Sequence, residues 1–228
     1  MLPTRTKTKL CITALVGLLA CGTGDSASSS TTDSTPPATA EAAPADCPPT
    51  ITALPPSPLY SAKDKRLRGA AVIVVLKSKR RIMLFERGTL KNLAGTSACF
   101  RMGLAPGGPK GHKQREGDKR TPEGWYRTSD KPTSRWYGAI AIHYPGAQDA
   151  AKGLHAGTIN RPTYEAILAS LDKDQKPPQR TALGGEILIH GGGAQDWTLG
   201  CVAMANPRLD SLRAGLPQTL RTDVLILP

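Results

Sequence analysis

The apolar residues of this chain come in short bursts, and that limits what it can fold into. The stretch AAVIVVLKSKRRIMLFE, residues 70–86, holds two such bursts rich in β-branched side chains, broken at Lys77-Ser78-Lys79. Branched side chains lose rotamer freedom in a helix and suit a pleated sheet, so the stretch reads as a β-hairpin. Similar runs are ACFRMGLA (residues 98–105), WYGAIAIHYP (136–145), EILIH (186–190) and DVLIL (223–227). Gly- and Pro-rich loops such as APGGPKG and GDKRTPEG separate them.

Two segments follow a helical period instead. In NRPTYEAILASLDK, Tyr164, Ile167, Leu168 and Leu171 recur at i, i+3, i+4 and i+7, with Pro162 in the first turn. In NPRLDSLRAGLP, Asn206 is the expected N-cap, Pro207 the first helical residue and Gly215 the stop. The expected fold is mainly β, a sandwich or barrel of short strands with two short helices.

Only part of the chain has the composition to fold. Of its 228 residues 39% are hydrophobic and 4% aromatic, low values that point to a segment outside the core. The N-terminus supplies it. Arg5, Lys7 and Lys9 precede an apolar run over residues 10–20 that is too short to span a bilayer, so residues 1–20 read as a signal peptide. Leu18-Leu19-Ala20-Cys21 resembles the bacterial lipobox, which implies acylation of Cys21 and a lipid-anchored, exported protein. Residues 21–67 are rich in Ser, Thr, Ala and Pro and read as a disordered tether. Residues 68–228 are the expected folded domain.

The formal charge of +12 is concentrated between Lys63 and Arg135, where nineteen Lys/Arg stand against six Asp/Glu. For an exported chain, attraction to an anionic wall polymer or lipid surface fits this patch better than nucleic acid, and a basic face that is simply solvated is the alternative. Of the five cysteines, Cys47, Cys99 and Cys201 remain after the leader and Cys21 are set aside. A bond between Cys47 and Cys99 would tie the tether to the domain. The pairing stays open, because Cys47 sits in low-complexity surroundings and Cys99 could be a plain core residue. An unpaired cysteine in an oxidising compartment is a candidate reactive thiol.

The segment ILIHGGGAQDWTLGCVAMAN, residues 187–206, sets His190 before three glycines and Cys201 after another. A thiol of ordinary pKa needs a nearby base or positive charge to become a nucleophile at neutral pH. Ten residues between them allow the end of one strand and the start of the next to lie side by side. Alternatives remain open at this point: a buried Cys and a structural His, or a zinc set of His143, His155, His190 and Cys201, which lacks any short-spaced ligand pair.

The motifs IHGGGAQDWTLGC, GDKRTPEGWY, IHYPGAQD and CVAMANPRLDSL resemble, in order, those of the L,D-transpeptidase catalytic domain (YkuD-type) family. The matching signature positions are His190, Gly191, Thr198, Gly200 and Cys201. Leu199 stands where many members carry a second His. The resemblance implies a peptidoglycan L,D-transpeptidase, acting without metal or organic cofactor on stem peptides; whether it works as a monomer the sequence leaves open. Cys201 would be the nucleophile and His190 its base. Backbone at Gly191 or Gly192 would orient the imidazole, and N–H groups at Gly200 and Cys201 would hold the oxyanion. The alternatives are hydrolysis of peptidoglycan peptide or peptidoglycan–protein bonds on the same fold, and a wall-binding module without catalysis.

Overall fold

The computed structural model describes residues 44–228. The expected signal peptide, Cys21 and most of the expected tether therefore lie outside the described residues. Two turns of 3-10 helix, Ile51–Ala53 and Lys65–Arg68, precede the first strand. The strands are β1 (Val72–Leu76), β2 (Arg81–Glu86), β3 (Thr89–Leu90), β4 (Asn92–Leu93), β5 (Thr96–Ser97), β6 (Cys99–Gly103), β7 (Gly124–Asp130), β8 (Ala139–Ile142), β9 (Leu188–His190), β10 (Val202–Met204) and β11 (Asp223–Leu227). The helices are α1 (Ala147–His155), α2 (Arg161–Leu171) and α3 (Asn206–Ala214).

The main sheet runs β1-β11-β7-β8-β9-β10-β6-β2-β3, and β1 also pairs with β2. That last pairing closes eight strands into a barrel and leaves β3 as an appendage on β2. Two neighbouring pairs are parallel, β1 with β11 and β9 with β10, and the others are antiparallel. Ile73, Val75, Ile82, Leu84, Ile189 and Val202 point into the central core.

The hairpin strand VIVVL is buried along its whole length. Its alternate residues Val72, Val74 and Leu76 face a second apolar layer on the outside of the barrel. Cys47, Ile51, Leu54 and Leu67 supply that layer. The reading of residues 21–67 as a tether is thus corrected from residue 44 onward, where the chain folds. A few large side chains on an otherwise polar segment are enough, because the strands beneath offer them a ready apolar surface. Cys47 and Cys99 form a disulfide with Cα atoms 6.2 Å apart, the bonded one of the two alternatives that the sequence left open.

Among the described residues three α-helices form rather than the expected two. The unforeseen α1, AQDAAKGLH, carries almost no large apolar residue. It packs through Ala150 and Gly153, both buried, and a Cβ on Gly153 would come 2.8 Å from Leu183 Cδ2. Its start is held by Asp149, whose Oδ2 accepts from the Gly146 N–H at 2.7 Å. In α2, Asn160 caps through Oδ1 and Pro162 sits in the first turn. The expectation of Asn206 as N-cap of α3 is corrected: Ala205 occupies that position. The Asn206 side chain is used elsewhere, as described below. Strand β7 was also unforeseen. Only Tyr126 and Thr128 of GWYRTSD are buried, and the Thr128 hydroxyl bonds the Leu220 carbonyl at 2.6 Å.

The disulfide closes a loop of 52 residues. In the chain-entropy account, such a link stabilises the fold by about 4 kcal/mol. The double substitution Cys47→Ser/Cys99→Ser is expected to lower the urea midpoint by a corresponding amount. It should also expose residues 44–67 to protease. An unchanged midpoint with an intact N-terminal segment would contradict the layered arrangement.

Candidate active site

The parallel pairing of β9 and β10 sets Ile189 opposite Val202 and His190 opposite Ala203. Side chains of paired residues in a sheet share a face, and so do those two positions apart. Ile189, Val202 and Met204 therefore enter the core. His190 and Cys201 both face outward, on the side of Leu188 and Ala139. Cys201 immediately precedes β10 while His190 ends β9, so the two stand diagonally, roughly 8 Å between Cα atoms from strand rise and spacing. This register puts both residues on the same face of the sheet, lining one cleft.

Residues 191–201 must leave the end of β9 and return to the start of β10. Two glycines make the route passable. A Cβ on Gly191 would fall 2.5 Å from Asn206 Oδ1 and 2.7 Å from the Tyr137 carbonyl. Gly200 has φ +129°, and a Cβ there would lie 2.7 Å from the Arg120 carbonyl. Asn206 Oδ1 accepts from the Gly192 N–H at 2.8 Å, which explains why it does not cap α3. Asp196 takes a bidentate bond from Arg80, at 3.0 and 2.6 Å, and accepts from the Leu104 N–H at 2.8 Å. Thr198, buried, donates from its hydroxyl to the Cys201 carbonyl at 2.8 Å and fixes the turn before the thiol.

His190 Nδ1 lies 2.7 Å from the Gly191 carbonyl. A carbonyl only accepts, so Nδ1 carries the proton and Nε2 keeps its lone pair. Of the backbone groups expected to orient the imidazole, Gly191 does so and Gly192 does not. The N–H of Gly200 is directed at the Thr198 hydroxyl at 3.3 Å. The ring is stacked on Trp136, with centroids 5.3 Å apart and planes 18° apart. Trp197 meets it edge-on at 5.3 Å. Neither indole was singled out from the sequence, although Trp197 lies inside the His–Cys loop itself.

Burial holds the His190 imidazole below its ordinary pKa, and the Gly191 hydrogen bond opposes this in part. Burial pushes the Cys201 thiol up to about 11, against a backbone hydrogen bond from Leu188 that favours the thiolate. The thiol also lies 3.4 Å from the Glu186 carbonyl. At neutral pH the pair rests as thiol and neutral imidazole. Both residues line a cleft of about 770 Å³, whose apolar side includes Trp136, Leu188, Trp197 and Leu199. Leu199 is 71% exposed at its rim.

The zinc set considered from sequence is not assembled. His143 Nε2 lies 2.9 Å from Ser129 Oγ in the interior, and His155 ends α1. Among the described residues no three His, Cys, Asp or Glu side chains converge as a metal site. His112, the remaining histidine, accepts the Glu123 N–H at Nδ1 and meets Asp149 Oδ1 at Nε2.

The raised thiol pKa has a direct consequence. Alkylation of Cys201 by a small, neutral reagent is expected to keep accelerating with pH toward about 11. A plateau near pH 8, read by intact mass against time, would mean that the thiolate is already stabilised at rest.

Comparison with known proteins bears on this site. The chain is 34% identical over 163 residues to the "Putative L,D-transpeptidase YafK" of Escherichia coli strain K12, covering 68% of this chain and 51% of that protein. The chain thus spans about half the length of the curated relatives it matches. Among solved structures, the helical cell shape determining protein Pgp2 of Campylobacter jejuni matches at 22% identity and TM-score 0.46, over 69% of this chain and 47% of that one. Bd1075 of Bdellovibrio bacteriovorus matches at 18% identity and TM-score 0.42, over 79% and 53%. The family described as the L,D-transpeptidase catalytic domain (YkuD) matches residues 70–221, nearly all of the barrel and the whole cleft, and the chain belongs to that family.

Proposed function

We propose that the cleft carries out cysteine-dependent acyl transfer on peptidoglycan stem peptides, with Cys201 as nucleophile and His190 as base. The observation that carries this reading is the placement of both side chains on one face of two parallel strands, with the imidazole tautomer set by the Gly191 carbonyl. The free Nε2 takes the thiol proton as Sγ attacks the amide carbonyl of the stem peptide. The tetrahedral intermediate collapses, the C–N bond breaks, and Nε2 returns the proton to the leaving amine. A thioester remains on Cys201. An incoming amine attacks it, loses its proton to Nε2, and leaves with the acyl group while the thiol is restored. Water in place of that amine gives hydrolysis.

The developing oxyanion needs donors at the start of β10. The Gly200 N–H is held only at 3.3 Å by the Thr198 hydroxyl, a long bond that an anionic oxygen outcompetes. No metal or organic cofactor enters any of these steps.

The proposal extends to location. Leu18-Leu19-Ala20-Cys21, following a short apolar run, supports acylation of Cys21 and attachment to a membrane facing the cell wall. The Cys21→Ala protein is expected to leave the membrane fraction. If it remains there and detergent still extracts it, another anchor is at work.

The chemistry is tested with a carbapenem, which acylates activated nucleophiles and leaves a mass adduct. Wild-type protein should gain the adduct and Cys201→Ala should not. His190→Ala should react slower by about 10²–10⁴-fold, the usual worth of positioned acid–base help. An adduct on Cys201→Ala overturns the nucleophile. Equal rates for wild type and His190→Ala remove the imidazole from the mechanism.

A further inference from the structure

Four cations line the cleft, Lys113, Lys119, Lys131 and Arg135, against two carboxylates, Glu116 and Glu186. Two of the cations are neutralised within the fold. Lys113, buried, places Nζ 2.9 Å from Asp118 Oδ1. Lys131 Nζ lies 2.7 Å from Glu186 Oε2. Lys119 and Arg135 form no salt bridge with any described residue, and both are exposed. They come from the two different loops that border the cleft.

Arg135 differs from an ordinary surface arginine in how it is held. Its guanidinium lies over the Trp136 ring, 4.9 Å from the centroid. Trp136 in turn stacks on His190. The cation is therefore the outer layer of a stack whose inner layer is the imidazole. Its positive charge reaches the Cys201 thiol and favours the thiolate. Packing on one face leaves the guanidinium edge, with its paired N–H groups, free to take a carboxylate bidentately.

We propose that Arg135, with Lys119 from the opposite loop, binds a carboxylate of the substrate next to the bond that Cys201 attacks. The site is thereby selective for acidic peptide ends over neutral ones. This rests on the reading of the cleft as the peptide site and adds the group it recognises. Two sources carry that chemistry: the terminal carboxylate of the departing residue, or a side-chain carboxylate on the residue that supplies the acyl group. A cation fixed beside the catalytic pair serves either, since both lie within a residue of the scissile carbonyl.

Binding rather than turnover tests this, using the full chain carrying Cys201→Ala. Its affinities are measured by calorimetry for a stem tetrapeptide as free acid, as its C-terminal amide, and with the side-chain carboxylate of the third residue amidated. One of the two amides is expected to bind about tenfold or more weakly than the free acid, the usual worth of a charge-assisted pair, and that amide identifies the source. Adding Arg135→Gln should bring the free acid down to the level of that amide and leave the amide itself unchanged. Arg135→Lys should recover part of the loss. Circular dichroism of these variants should match the parent, since Arg135 is exposed.

Three results would overturn the proposal: no measurable binding of the free acid, equal affinity for all three peptides, or an Arg135→Gln loss that is the same for acid and amides. Failure of the acyl-transfer reading looks different. A wild-type chain inert to the carbapenem, with carboxylate discrimination intact, would refute the chemistry and keep the recognition.

Discussion

The site depends on two three-residue strands lying parallel with only residues 191–201 between them. Parallel neighbours ordinarily need a longer crossover, because the chain must travel back the full length of a strand before re-entering the sheet. Here the strands are so short that the return is small, and the loop is held at each turn. Arg80, from the hairpin at the barrel's rim, grips Asp196. Asn206, from the start of α3, grips the Gly192 amide. Thr198 grips the carbonyl of Cys201 itself. A slip of one residue in this register would turn either His190 or Cys201 into the core. The polar anchors thus keep His190 and Cys201 on one face of the sheet.

That loop could not be held unless the barrel behind it were closed. Closure runs through β1, which pairs with β2 on one side and β11 on the other. A strand in that position is covered by side chains on both faces, and VIVVL is apolar at every position. The outer face would present a greasy stripe to water without Ile51, Leu54 and Leu67. The disulfide from Cys47 to Cys99 pins this cover to β6, the strand that pairs with β10. Covering layer, barrel and reactive strand are therefore linked through consecutive sheet neighbours.

Strand runs, hairpin, α2 and the His–Cys pairing were legible in the sequence because each has a strong local signal. β-branched bursts mark strands, a 3.6-residue period marks α2, and the family motifs mark His190 and Cys201. What escaped lacks such a signal. Helix α1 is made of small residues whose value is fit, visible only once Leu183 stands against Gly153. Strand β7 buries a threonine through hydrogen bonds supplied by residues more than ninety positions away. Asn206 had a sound local reason to cap α3, and a partner fourteen residues back in the chain won its side chain. Residues 44–67 look like a continuation of the polar segment before them. Their few apolar residues acquire meaning only from the strand face they cover.

The aromatic surroundings of His190 act in two directions at once. Indole rings on either side exclude water from the imidazole, which disfavours its charged form and leaves a neutral base at rest. In the proposed acyl transfer, an imidazolium formed at His190 would meet π-electron density from the same rings, and the stacked face of Trp136 is well placed to stabilise it. A neutral pair avoids a permanent buried ion pair and its desolvation cost. In the proposed reaction charge would then arise mainly on the way to the transition state, in surroundings already arranged to receive it. Exposed thiolates react with any electrophile that reaches them. As the proposed nucleophile, a cysteine held as thiol until a substrate occupies the cleft would confine its reactivity to molecules that fit between Trp136, Trp197 and Leu199.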